Sequence, residues 1–282
     1  MEITKDIEII DLCLYLKKEK ILIITDTHIG YEESLNKQGV LIPRFQFKGI
    51  IERLEKVLEK IGEVDKVIIN GDIKHEFGTI SEQEWRHTLR LLDFLGKYCN
   101  EIILIKGNHD TILGPIARKR RVRVVDCVVV RSDGIMEPID DIKSMKIKPF
   151  GIKSMNNKSI KKEPLNNKKI IKNNLLIIHG DKINENILNI IKKNNIKIII
   201  GHEHPAVSIH EGVRAELFKC FLKGKFGRRT LIVQPSFNLV TEGTDVTKEE
   251  LLSPFLQQEL SDFEYFIVAD KVYEFSRLEK LG

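Results

Sequence analysis

Six of the eight histidines of this 282-residue chain fall in five short clusters with aspartate, asparagine and glycine. Asp26-Thr-His28 is the first, and Gly71-Asp72, with His75 three residues on, is the second. Gly107-Asn108-His109-Asp110, His179-Gly-Asp and Gly201-His202-Glu-His204 follow. Two aspartates, an asparagine and several neutral imidazoles make a mixed nitrogen and oxygen donor set without thiolate. Such donors suit borderline divalent ions, Mn²⁺ first, with Fe, Zn²⁺ or Ni as the others. Seven donors are too many for one tetrahedral ion. They suit two ions sharing a carboxylate, the arrangement that clamps the attacking and leaving oxygens of a phosphoryl displacement. Gly71, Gly107 and Gly201 beside them allow sharp turns and close backbone approach.

Each piece has a plainer reading when taken singly. A lone histidine is more often a core residue than a ligand. Asn108 can serve a turn, His179-Gly-Asp is common turn chemistry, and Asp110 either orients His109 or caps a turn. The metal reading is favoured because the pieces occur together and because His202 and His204 alternate in an extended segment and face one side. His87, His210 and Trp85 take structural readings. Glu203 is expected to point away, into solvent or to a lysine.

The elements that must position these residues are legible as apolar runs. Ile21-Leu-Ile-Ile-Thr ends at Asp26, Val67-Ile-Ile-Asn at Gly71, and Ile102-Ile-Leu-Ile just before Gly107. Each reads as a buried strand. Between them, 45–61 carries apolar residues at helical spacing, and Ser81 with Glu84 is a capping box opening a helix over 82–98. The first 106 residues therefore form a βαβαβ unit with parallel strands. Later strands are expected at Val122–Val130, 175–178, 196–200, 206–210, 213–222 and 230–234. A helix is expected over 183–193, another starting at Thr247 with Glu250, and a terminal hairpin over 263–275. Residues just past the carboxyl ends of parallel strands gather on one edge, so the five clusters should converge.

Composition fits a globular chain: 42% hydrophobic and 31% charged. No apolar run approaches the roughly 18 residues that cross a bilayer, so no membrane partner is expected. The acidic start resembles no signal peptide, and four dispersed cysteines without C-x-x-C read as reduced thiols in a cytoplasmic protein. The window 141–174 holds ten lysines against Asp141 and Glu163. It reads as a Lys/Asn-rich insertion or long loop within a single domain over 1–282. A second basic cluster comprises Arg118, Lys119, Arg120, Arg121 and Arg123. Both read either as phosphate-contacting surface or as solvated loop.

The series D-x-H, G-D, G-N-H-D, H, G-H-x-H, in this order over roughly residues 20–240, resembles the calcineurin-like metallophosphoesterase superfamily. The segment Asp26-Thr-His-Ile-Gly-Tyr and His75-Glu76 look most like SbcD-type repair nucleases. Gln234-Pro-Ser-Phe-Asn, Gly243-Thr-Asp-Val and Leu252-Ser-Pro-Phe-Leu resemble a compact, archaeal-style SbcD-related group. The resemblance implies a four-layer αββα sandwich of two mixed sheets flanked by helices. It implies that Asp26, His28 and His204 hold one ion, that Asp72 bridges, and that Asn108, His179 and His202 hold the other. It also implies a hydroxide between the ions as nucleophile, His109 as general acid and His75 as a phosphate contact. His75 stands where Ser/Thr protein phosphatases have aspartate, and no R-G follows, which speaks against that activity.

The preferred expectation is a two-metal phosphodiesterase or nuclease acting on DNA. The chain looks short for the DNA-capping domain and helical arm of the full-length repair nucleases, so a single-strand or nick-directed activity fits better than processive resection. The alternatives are an enzyme for a small nucleotide or other phosphate ester, and a non-catalytic docking module for repair. A protein partner or self-association is left open.

Overall fold

The computed structural model describes residues 1–140, 172–193, 195–212 and 214–276. All but the last three residues of the expected insertion at 141–174 lie outside the described residues. The chain opens with β1 (Glu2–Thr4), β2 (Ile7–Ile10) and β3 (Cys13–Leu16), an antiparallel meander whose turns hold Asp6 and Asp11 at φ 68° and 57°. Then come β4 (Ile21–Ile24), α1 (Tyr31–Lys37), α2 (Gln46–Ile61), β5 (Lys66–Asn70), α3 (Glu82–Leu95), β6 (Glu101–Ile105), α4 (Gly114–Arg120) and β7 (Arg123–Val125). Strands β1 to β7 form one sheet in sequence order. It is parallel from β4 to β7, as the βαβαβ reading requires.

The second sheet contains β8 (Cys127–Val130), β9 (Met136–Ile139), β10 (Lys172–Ile178), β11 (Asn195–Ile200), β12 (Pro205–Glu211), β13 (Arg214–Phe226), β14 (Arg229–Val233), β15 (Thr244–Asp245), β16 (Glu264–Val268) and β17 (Val272–Phe275), with α5 (Glu185–Lys193) between β10 and β11. Its centre is parallel, β10 to β11 to β14, and antiparallel strands flank it.

Side-chain alternation stacks the layers. Val128, Ile177, Ile199, Phe221, Ile232 and Phe266 of the second sheet join the first sheet in one core. Their neighbours Val129, Ile178, Ile200, Leu222, Val233 and Ile267 face the other way and pack with Ile187, Ile190, Ile191 and Phe255. Strands β3 and β4 and most of β5 and β6 are buried on both faces. One face meets the second sheet, and the other meets α2 through Ile50, Leu54 and Val57 and α3 through Leu91 and Leu95. The result is helix, sheet, sheet, helix, the expected four-layer αββα sandwich.

Two expectations need correcting. The run Val122–Val130 is two strands in different sheets. The chain crosses between the sheets at Asp126, whose carboxylate takes the Lys106 ammonium at 3.0 Å and whose N–H meets the Ile139 carbonyl at 2.7 Å. The valines of Arg123–Val125 and of Cys127–Val130 run on either side of Asp126, so the apolar pattern does not mark the break. No helix begins at Thr247. The Asp245 carboxylate accepts from the Thr247 N–H at 3.1 Å and hydroxyl at 2.6 Å, a side-chain-closed turn. The meander β1 to β3 and the short helices α1 and α4 add to the expected elements. No described helix is long and apolar enough to cross a membrane.

Candidate metal centre

The carboxyl ends of β4, β5 and β6 in one sheet and β10 and β11 in the other meet at one rim. The backbone bends sharply there. Nine non-glycine residues have positive φ among the described residues, and five are candidate metal ligands: Asp26 (49°), His28 (41°), Asp72 (40°), His202 (64°) and His204 (51°). Each left-handed residue costs about 1 kcal/mol, and such strain concentrates at functional sites. The turns are tied together. Asp26 N–H donates to the Gly71 carbonyl at 3.2 Å, His28 N–H to that of Asp72 at 2.9 Å, and Gly201 N–H to that of His179 at 2.9 Å. A Cβ on Gly71 would strike the His179 ring, and one on Gly107 the Asp72 carboxylate.

Asp26 and Asp72 form the floor. Asp26 Oδ2 accepts from the Thr25 hydroxyl at 2.7 Å and the His202 N–H at 2.9 Å. Its Oδ1 is buried without a hydrogen-bond partner, 3.5 Å from His179 Nδ1 and 3.7 Å from His204 Nε2. Asp72 Oδ1 accepts from the His109 N–H at 2.9 Å. Its Oδ2 faces His179 Nε2 at 3.4 Å, His28 Nε2 at 3.8 Å and His109 Nε2 at 3.9 Å. His28 Nε2 lies 3.2 Å from His204 Nε2, and His179 Nε2 lies 3.1 Å from Asn108 Oδ1. Donor atoms group as Asp26, His28 and His204, as Asp72, His179 and His202, and as His28, His75 and His109. The first two groups contain residues that the sequence resemblance assigns to separate ions, with Asn108 beside the second.

The electrostatics describe a site built around cations. Burial pushes the Asp26 carboxyl up, but His204, His179 and His28 around it bring it below the ordinary carboxylate range. Burial pulls His179 down, yet the Asp26 and Asp72 carboxylates raise it to about 9. Burial, then His204, holds His28 well below its usual value. Burial lowers His202 as well. Two carboxylates thus share a buried pocket with His28 and His202, which burial holds toward the neutral form, and with His179, which the carboxylates draw the other way.

Divalent ions fit this pocket. Two ligands on one ion, each at roughly 2.1 Å, stand roughly 3 to 4 Å apart, which is the spacing of these donors. The unpartnered Asp26 Oδ1 is a buried acceptor with nothing else to satisfy it.

Residues 19–226 match the sequence model of the calcineurin-like phosphoesterases. The chain belongs to that family. Members of the family use divalent metals, as the donor clusters of this calcineurin-like phosphoesterase would allow. Its fold is similar to the crystal structure of the Pseudomonas putida nuclease MPE, with TM-score 0.52 and 17% identity over 94% of this chain and 92% of that one. It also aligns with the E. coli phosphoesterase Yfce, with TM-score 0.36 and 11% identity over 91% and 98% of the two chains. No curated protein matches it significantly in sequence.

Around the metal positions of this calcineurin-like phosphoesterase lies a second set of groups. His75 Nδ1 is 3.4 Å from His28 Nδ1, and the His75 ring stacks on Tyr31 with centroids 4.1 Å apart. His28 Nε2 is turned to the carboxylates, so a proton on its Nδ1 would be donated to His75 and orient the His28 ring. Burial, then His109, lowers His75 to about 4, keeping it neutral for that task. His109 points Nδ1 at the His75 carbonyl. A carbonyl only accepts, so Nδ1 carries a proton and Nε2 faces the site. Asp110 closes the turn beside the site: its Oδ2 accepts from the Gly107 N–H at 3.1 Å. Burial and Asp72 raise the Asp110 carboxyl to about 7.

The basic cluster is largely engaged. Arg120 pairs with Asp93 on α3, Arg123 with Asp140 at 3.1 Å, and the Lys119 ammonium lies 5.7 Å from the Trp85 ring centre. Arg121 takes φ 54° to end α4, and Arg118 lies in the last turn of that helix. The Glu203 expectation is corrected: its carboxylate is buried and accepts from the Leu252 and Ser253 N–H groups at 2.9 and 2.7 Å.

Three site residues escaped the sequence reading. Phe77, 59% exposed, lays its ring against His109 with centroids 3.6 Å apart. Lys74 is fully buried beneath His109. Glu84 closes its capping box through Oε2 on the Ser81 N–H at 2.7 Å, while its Oε1 accepts from the His75 and Glu76 N–H groups at 3.0 and 2.7 Å. The capping box was legible, but the reach to the site loop was not. Glu84→Ala strands three amides and is expected to lower stability by about 3 kcal/mol. Ser81→Ala should cost only about 1 kcal/mol. Urea midpoints of the two variants check the difference, and equal losses would remove the role of Glu84 beyond the cap.

Proposed function

We propose that the chain is a divalent-metal phosphodiesterase acting on nucleic acid, DNA foremost. The observation that carries the reading is the convergence of two buried carboxylates, one of them with an unpartnered oxygen, with imidazoles from five strand ends. Asp26, His28 and His204 would hold one ion and Asn108, His179 and His202 the other, with Asp72 between them. Bound there, two divalent ions supply Lewis acidity and neutralise charge on the phosphoryl oxygens; Mn²⁺ suits the donor set.

The chain's own residues complete the chemistry. Water supplies the oxygen that adds to phosphorus, and the bond from phosphorus to the leaving oxygen breaks. His109, held by its backbone N–H on Asp72 and its Nδ1 on the His75 carbonyl, presents Nε2 to that leaving oxygen and, in its doubly protonated form, gives it the Nε2 proton, while the proton of the attacking water passes to solvent. The group beyond the leaving oxygen passes Phe77, whose exposed face can stack a base. The SbcD-like segments about Asp26 and His75 and the shared fold of the Pseudomonas putida nuclease support the nucleic-acid assignment. The ion pairs that occupy Arg120 and Arg123 favour a second reading, a small nucleotide diester as substrate.

One comparison separates them. Mn²⁺-loaded protein is assayed on a labelled DNA oligonucleotide, a small diester and a small monoester at rising salt. On the nucleic-acid reading, oligonucleotide KM rises steeply with salt. Phe77→Ala raises it about tenfold more, and the small diester is unaffected. Salt-independent turnover of all three moves the assignment to the small substrate. Monoester turnover equal to diester turnover overturns both.

A further inference from the structure

We propose that Lys74 is a positioning residue for the proton donor: its ammonium pins the His109 backbone to the loop that follows β5. The inference rests on the reading of His109 given above. Lysine is almost never fully buried unless its charge is satisfied, and Lys74 is fully buried. Its Nζ donates to the His109 carbonyl at 2.7 Å and to the Glu76 carbonyl. Both acceptors are backbone oxygens of the two loops that carry His75 and His109, and neither is a ligand side chain. The base of the side chain is fixed too, because Lys74 forms a parallel bridge with Ile29.

His109 is therefore held at three points. Its N–H rests on Asp72, its Nδ1 on the His75 carbonyl and its carbonyl on Lys74. The first bond depends on the metal floor. The third depends on Lys74 alone, and it stops the His109 peptide from tilting. A side chain of similar length that carries no donor leaves these two carbonyls without the Lys74 bond and lets Nε2 drift from the leaving oxygen. A misplacement of about 1 Å costs on the order of a hundredfold in rate.

The test uses leaving groups of different need. The full chain, Mn²⁺-loaded, is made as Lys74→Met, Lys74→Gln and His109→Asn. Metal content and circular dichroism are measured for each. kcat and KM are measured on two nucleotide diesters, one releasing 4-nitrophenolate and one releasing a nucleoside alkoxide. Nitrophenolate departs without a proton, whereas an alkoxide requires one. Lys74→Met is expected to retain metal and nitrophenyl turnover within about threefold, and to lose about 10- to 100-fold in kcat on the alkoxide substrate at constant KM. Lys74→Gln keeps two N–H donors and should recover part of that loss. His109→Asn should show the same selectivity, larger. Selectivity in His109→Asn with equal loss on both substrates in Lys74→Met, or loss of metal from Lys74→Met, reduces Lys74 to structural support and overturns the proposal. Equal loss on both substrates in His109→Asn removes the proton-donor reading, and the proposal falls with it.

Discussion

Asp72→Asn is expected to lower kcat/KM for a phosphodiester by roughly 10³-fold or more, about 4 kcal/mol of transition-state stabilisation, and to cut bound metal from two ions toward one. Asp72 Oδ2 groups with His179 and His202 and also faces His28 and His109 within 3.9 Å, so it stands between the two carboxylate-containing donor groups. Its Oδ1 receives the His109 N–H at 2.9 Å, a bond that an asparagine oxygen can still accept. The substitution therefore removes charge while leaving the turn in place. It also strips His179 of one of the carboxylates that raise its pKa. Elemental analysis with steady-state kinetics checks both halves. Hydrolysis that survives with unchanged metal content would remove Asp72 from the centre.

His109→Asn is expected to leave both ions bound and to lower kcat by roughly 10² to 10⁴ on substrates with an alkoxide leaving group, the range for loss of a general acid. The reason for intact metal is positional. His109 Nε2 is 3.9 Å from Asp72 Oδ2, yet its ring groups with His28 and His75 rather than with the two carboxylate-containing sets. Its ring is anchored outward on the His75 carbonyl and covered by Phe77. Metal content and kcat measured together check this. Loss of one ion with His109 would recast it as a ligand.

The strand ends that build the site were readable because parallel strands buried on both faces leave continuous apolar runs. In β4, β5 and β6 those runs stop where polar clusters begin. Pairing across sheets was not readable in that way. The run from Val122 looks continuous, but Asp126 hands it from one sheet to the other. The meander of β1 to β3 escaped notice because its strands are three or four residues long and are turned by Asp6 and Asp11, which lack the usual glycine. In the site, ligand types declared themselves in pairs such as Asp26 with His28 and His202 with His204. Lys74, Glu84 and Phe77 did not, since each acts through burial or neighbours that tertiary packing alone supplies. A lysine next to a histidine reads as solvated until the fold closes over it.

Anomalous diffraction at the manganese edge, from crystals soaked in Mn²⁺, addresses the centre itself. Two peaks flanking the Asp72 carboxylate, one toward His28 and His204 and the other toward Asn108, His179 and His202, are the expected result. A single peak, or manganese bound only away from Asp26 and Asp72, would contradict it.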